Sequence, residues 1–126
     1  MDHCITSILE GAQYADDIQI IIVDDGSTRD NTAQKADEWE QKYPELIKAI
    51  HQPNGGHGSA VLAGLQAAEG VFYKVVDSDD WLNADALAAL LDTLRQSEAD
   101  NKQLDLVITN YVYEHTADNT RNYVSY

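Results

Sequence analysis

The stretch Val71-Phe-Tyr-Lys-Val-Val-Asp77-Ser-Asp79-Asp80-Trp81 runs an apolar segment straight into three carboxylates. A short run rich in β-branched and aromatic residues predicts a central strand covered on both faces, with Val75 and Val76 inside it. Asp77, Asp79 and Asp80 then fall at its C-terminal end. A second copy of the arrangement lies earlier, where Ile18-Gln-Ile-Ile-Ile-Val23 reads as a strand and Asp24-Asp25-Gly26-Ser27 as its acidic tip. Helical segments separate the two strands, which predicts parallel neighbours. The five carboxylates would then gather along the sheet edge where open α/β sheets bind ligands.

Like charges gathered in a small volume repel unless a cation lies among them or several point into water. Oxygen-only ligands suit Mg²⁺ or Mn²⁺, which keep several waters and complete their coordination with substrate phosphate. The partner this implies is a metal-bound phosphorylated small molecule. The same aspartates also read as turn and cap residues, because Asp25-Gly26 is ordinary turn chemistry and a helix dipole favours carboxylates ahead of it.

The chain has 126 residues, room for one domain around one core. Lys and Arg number 8 against 22 Asp and Glu, a net charge of −14, so the surface repels a phosphate backbone and argues against a nucleic-acid partner. An anionic ligand would need a bound cation to reverse the local field. The single cysteine, Cys4, has no partner for an internal disulfide, and no Cys/His spacing fits zinc. The expected setting is a reducing cytoplasm. No apolar run is long enough to cross a bilayer, and the start lacks a signal-peptide pattern. A longer, membrane-associated parent at the inner face of the membrane stays open.

In chain order, Met1 to Gly11 reads as a helix with Cys4, Ile5, Ile8 and Leu9 on one stripe and Gly11 as its stop. Thr28 to Tyr43 reads as an amphipathic helix ended by Pro44, and Leu46 to Gln52 as a short strand. The loop Pro53-Asn54-Gly55-Gly56-His57-Gly58-Ser59 leads into a helix over Ala60 to Glu69. Glycines before a helix start can offer backbone N–H groups to an anion, or simply connect two elements. The loop matches neither the dinucleotide fingerprint nor a P-loop. Asn83 is a sound cap for a helix from Ala84 to about Gln96, whose Leu87, Leu90, Leu91 and Leu94 predict core packing. Leu104 to Glu114 reads as another strand, and His115 to Tyr126 as an arm able to fold back as a hairpin. The four histidines are scattered and read as surface or loop residues. Trp39 and Trp81 read as packing residues, Trp81 also as a candidate pocket wall. The pattern is α/β with a mostly parallel sheet flanked by helices.

Val23-Asp24-Asp25-Gly26-Ser27-Thr28, Asn54-Gly55-Gly56 ahead of a helix, and Val76-Asp77-Ser78-Asp79-Asp80-Trp81, in this order, resemble the family 2 glycosyltransferases of the GT-A fold. The resemblance covers roughly residues 1–114 and implies a Rossmann-like, nucleotide-sugar-binding part of such a domain, with 115–126 as a C-terminal arm. It implies that Asp24 and Asp25 help hold the nucleotide base, with Asp25 the better candidate. It also implies that Asp77 and Asp79 bind the ribose and a divalent metal on the donor diphosphate, with Asp80 beside them. The backbone of Asn54, Gly55 and Gly56 would lie near the nucleotide. The donor implied is a nucleoside-diphosphate sugar of UDP type. The acceptor implied is a glycan or other hydroxyl, and the setting cell-surface polysaccharide synthesis with inversion.

Two parts of the family pattern are not matched. The opening strand with its Pro-x-Tyr-Asn-like segment has no counterpart, nor does the catalytic-base aspartate, which is expected beyond Tyr126. The fragment is thus expected to be trimmed at both ends, and inactive on its own. The unmatched strand would lie between Ile18–Val23 and Val71–Val76, so the sheet is expected to be interrupted there, or completed by a homo-oligomer or strand-exchanged dimer. A non-catalytic nucleotide- or metal-binding module and a structural α/β domain are the competing readings.

Overall fold

The structure is a computed structural model that describes residues 1–28, 30–115 and 117–126. It divides into two compact units, Met1–Leu91 and Asp92–Tyr126. The parts of the expected helix and arm that fall on Arg29 and Thr116 lie outside the described residues.

The first unit is built on a parallel pair, β1 (Ile20–Asp24) and β2 (Ile47–His51), in register from Ile20 opposite Ile47 to Asp24 opposite His51. Helix α1 (Asp2–Gly11) lays its apolar stripe on the pair. Ile5, Leu9, Ile20 and Ile47 form the buried cluster, with Met1, Ile8, Ile18, Ile22, Trp39, Tyr43 and Leu46 packed around it. Burying an aliphatic side chain of this size stabilises by roughly 1.5–3 kcal/mol. Gly11 is the last residue of α1 and the point of closest approach to the Ala84–Leu87 turn. A Cβ there would meet Leu87 Cβ at 2.9 Å and the Ala84 carbonyl at 3.0 Å.

Helix α2 (Thr32–Lys42) begins later than its apolar spacing suggests, with the Asp30 carboxylate accepting from the Thr32 amide at 3.1 Å. It ends at Tyr43, the residue ahead of Pro44, where proline disfavours helical backbone. Helix α3 (His57–Ala67) begins three residues earlier than Ala60. Gly56, at φ +85°, turns the chain directly into it. Asn83 caps α4 (Ala84–Ala99) as expected, its side-chain oxygen accepting from the Ala86 amide at 2.9 Å. The α4 leucines Leu87, Leu90, Leu91 and Leu94 are only half-buried, not the core residues that their spacing predicts.

The largest departure concerns the stretch that opened the sequence reading. Among the described residues Val71–Val76 belongs to no strand, and Val71, Tyr73 and Val75 are exposed. A run apolar on both sides becomes a buried strand only when neighbours supply hydrogen bonds at its edges and cover on its faces. Here β1 has one partner strand, β2, and no ladder reaches 71–76. Tyr73 still ties the stretch to α3, its hydroxyl donating to the Val61 carbonyl at 3.2 Å over Gly64.

In the second unit α4 ends in a left-handed Asn101 at φ +53°. The Lys102 amide donates back to the Ser97 carbonyl at 2.9 Å, a common helix stop. The strand expected over Leu104 to Glu114 forms only at its end, as β3 (Tyr111–His115), and Leu104, Leu106, Val107 and Ile108 are exposed. Strand β4 (Thr120–Val124) pairs antiparallel with β3, so the expected fold-back exists and starts before His115. Asp118 and Asn119 make its turn. The Asp118 carboxylate accepts from the Thr120 amide and hydroxyl, and Asn119 adopts φ +55°.

Candidate functional site

The β1 strand ends in two carboxylates that point to different tasks. Asp24 is 5% exposed. Its Oδ1 accepts from the Ser27 amide at 3.0 Å, and its Oδ2 lies 3.2 Å from Nδ1 of His51, its partner across the parallel ladder. Burial pushes the Asp24 carboxyl up, but hydrogen bonds from Ser27 and His51 outweigh it and hold the group below its ordinary value. The other ring nitrogen of His51 lies 2.9 Å from Asp37 Oδ1 on α2. His51 is thus the surface residue that the sequence suggests, and it links three elements through its two carboxylate partners.

Asp25 reaches across to the glycine loop. Its Oδ1 accepts from Gln52 Nε2 at 2.6 Å and from the Gly55 amide at 2.9 Å, and its Oδ2 from the Gly56 amide at 2.7 Å. The Gln52 side chain, followed by the two amides, holds this carboxyl below its ordinary value. Gln52 Nε2 also donates to Ser59 Oγ at 3.0 Å, at the start of α3. The close fit explains the glycines. A Cβ on Gly55 would meet Ser59 Oγ at 2.6 Å, and one on Gly26, which sits at φ +74°, would meet the Asn54 amide nitrogen at 2.7 Å. Two candidate motifs about thirty residues apart in sequence therefore meet in one clasp. Asn54 contributes its backbone to the contact with Gly26. No single-sequence signal marks Gln52, Ser59 or His51, because only the strand register and the loop path bring them to the tip.

The second acidic tip is a turn in which the Asp80 amide donates to the Asp77 carbonyl at 3.0 Å. It is anchored on α1: the Leu82 amide donates to Ser7 Oγ at 3.0 Å, and Trp81 stacks on His3 with ring centroids 4.8 Å apart. The Cys4 thiol of α1 is pushed up chiefly by burial, with Asp80, Asp77 and Asp79 acting in the same direction against the chain's amino group. The three carboxylates are exposed and accept no hydrogen bond from the described residues. Trp81 is exposed as well, with one face on His3.

The two tips do not merge into the five-carboxylate cluster that the sequence suggests. Among the described residues no three His, Cys, Asp or Glu side chains are grouped to hold a metal ion. Asp24 and Asp25 are committed to protein donors, which outweigh the repulsion that Asp24 still exerts on Asp25. Asp77, Asp79 and Asp80 keep free, oxygen-only carboxylates, a donor set whose chemistry fits a hard cation that fills its other positions with water and phosphate.

These features define an α/β protein with an acidic, glycine-clasped edge at the C-terminal end of its first strand. The family model described as Glycosyl transferase family 2 matches residues 1–124, and the chain belongs to that family. It is 37% identical over 124 residues to the glycosyltransferase EpsJ of Bacillus subtilis (strain 168), covering 98% of this chain and 33% of that protein. It is 35% identical over 125 residues to the glycosyltransferase GlyG of Streptococcus pneumoniae serotype 4, covering 98% of this chain and 38% of that protein. It is also 35% identical over 94 residues to the chondroitin synthase of Escherichia coli, covering 75% of this chain and 13% of that protein. The chain thus spans only a minor part of the length of these relatives.

Proposed function

We propose that this chain is the donor-binding part of an enzyme that transfers a sugar from a UDP-type nucleotide sugar to a hydroxyl of a growing glycan. The transfer is an inverting one, in cell-surface polysaccharide synthesis on the cytoplasmic side. The observation that carries the reading is the Asp25 clasp, in which an acceptor-only carboxylate stands beside two glycine amides at the strand end where α/β sheets take ligands. Family membership and the similarity to a chondroitin synthase support the glycan side of it.

In this reading Asp25 and the Gly55–Gly56 backbone bind and orient the nucleoside. Asp77 and Asp79 take the ribose and Mg²⁺ or Mn²⁺ on the donor diphosphate, with Asp80 as the adjacent candidate for the ion. The ion, when bound, would supply positive charge against the negative charge that develops on the departing diphosphate. Trp81, stacked on His3, offers an aromatic wall next to this turn. None of these residues is assigned as the base that activates the acceptor.

Calorimetric titration with UDP in the presence and absence of Mn²⁺ tests the proposal. Metal-dependent binding by the wild-type chain, lost in Asp79→Ala, is the expected result. Failure of every nucleoside diphosphate to bind overturns it.

A further inference from the structure

We propose that Gln52, braced by Ser59, is a positioning residue for Asp25 that sets the aim of this carboxylate in the nucleotide site. The inference rests on the donor-binding reading and adds a residue to it.

Asp25 sits at the end of β1, where its side chain could adopt several rotamers over the open edge. Three donors converge on it, two of them backbone amides of the Gly55–Gly56 loop and the third Gln52 Nε2 at 2.6 Å. The loop amides belong to a segment that is itself exposed and lies outside the sheet. Gln52 is different. It follows β2 directly, and its amide donates to the Asp24 carbonyl at 3.0 Å, which extends the parallel ladder by one bond. Its side chain is therefore rooted in the sheet. The Nε2 group has two hydrogens and spends them on Asp25 Oδ1 and Ser59 Oγ, which fixes the amide's plane between the strand tip and the first turn of α3. Both hydrogens of the Gln52 amide are used, and together with the Gly55 and Gly56 amides they hold the carboxylate in its observed orientation. That is the support a binding carboxylate needs from its neighbours if its aim is to be held before ligand arrives.

The role differs from a general contribution to folding, because it acts through one group. Removing Gln52 should change how Asp25 meets ligand and should change nothing once Asp25 is gone. The hydrogen bond also lowers the pKa of Asp25, which gives a readout independent of nucleotide.

The test uses Gln52→Met, which keeps the length and loses the donor, alone and combined with Asp25→Ala. Two quantities are read: UDP affinity with Mn²⁺ by calorimetry, and the Asp25 carboxyl titration by ¹³C NMR. Gln52→Met is expected to raise the Asp25 pKa and to weaken UDP about tenfold, the worth of one charge-assisted hydrogen bond. The same change in the Asp25→Ala background is expected to weaken UDP no further. Equal losses in both backgrounds, or unchanged affinity in Gln52→Met, overturn the positioning role while leaving the donor-binding reading in place. If the wild type binds no UDP although the Asp25 titration responds to Gln52→Met, the donor-binding reading fails and this role with it.

Discussion

His51 stands directly opposite Asp24 in the parallel ladder, with one ring nitrogen 3.2 Å from Asp24 Oδ2 and the other 2.9 Å from Asp37 Oδ1. A carboxylate at each nitrogen asks both nitrogens to donate, and only the imidazolium can do so. When protonated, the ring is a rivet through β1, β2 and α2 at the C-terminal end of the parallel pair.

That rivet makes stability depend on pH. Hydrogen bonds to Asp37 and then Asp24 raise the His51 pKa above its ordinary 6.5. A raised folded-state value means the contribution is fully present below about pH 6.5 and is lost as pH rises through the higher folded value. Asp24 behaves oppositely: its lowered pKa makes its contribution present above about 3.8 and lost as pH falls through the folded value. Urea unfolding of the wild type and His51→Gln from pH 5 to 9 should show the difference shrinking with rising pH. Because His51 is 41% exposed, the difference at low pH should be about 1 kcal/mol after solvent screening.

The clasp predicts a sharp contrast among glycines. Gly26→Ala places a Cβ against backbone at φ +74° and should destabilise by about 1–3 kcal/mol, with the loop displaced from Asp25. Gly58→Ala lies inside α3 with open space around it and should stabilise by about 0.5–1 kcal/mol. Thermal unfolding of the two variants checks both signs.

Leu9 is the largest fully buried side chain, at 1% exposure, and sits on both strands' buried isoleucines. Leu9→Ala should cost about 2–5 kcal/mol, a large part of a small core's stability. Circular dichroism in urea would show the midpoint fall, and Leu62→Ala, half-exposed at 53%, should move it far less.

At the second acidic turn the expected effects are on ligand alone. Asp77, Asp79 and Asp80 accept no hydrogen bond from the described residues, so Asp79→Asn should leave the melting temperature unchanged or slightly higher. EDTA should abolish UDP binding in the wild type, and excess Mn²⁺ should restore it. The variant should not recover under the same treatment.

Much of the fold was legible where one element declares itself. Cys4, Ile5, Ile8 and Leu9 mark α1 by their spacing, Ile20–Val23 marks β1 by its β-branched run, and Asn83 caps α4 as its chemistry predicts. Boundaries moved where a distant contact took over. Gly56 starts α3 early because the loop is held at Asp25, a hydrogen bond that no local propensity contains. Val71–Val76 was misread because its apolar pattern records the cover it is suited to, whereas a strand exists only when a neighbouring edge supplies hydrogen bonds. The Asp25 clasp was half legible. Motif spacing pointed to Asp25, Gly55, Gly56 and the Asp77–Asp80 turn, but not to His51 and Gln52, whose importance comes from standing beside Asp24 and Asp25 in the ladder.

The sequence by itself determined the helices, the β1–β2 strands, the acidic motifs and the family, because side-chain periodicity and short motifs are written residue by residue. The tertiary structure alone decided that Asp25 closes on the Gly55–Gly56 amides, that Asp24 meets Ser27 and His51, and that the Asp77, Asp79 and Asp80 carboxylates accept no hydrogen bond from the described residues. Those outcomes depend on strand register and on which donors the fold brings within reach of each carboxylate, and neither is a local property of the chain.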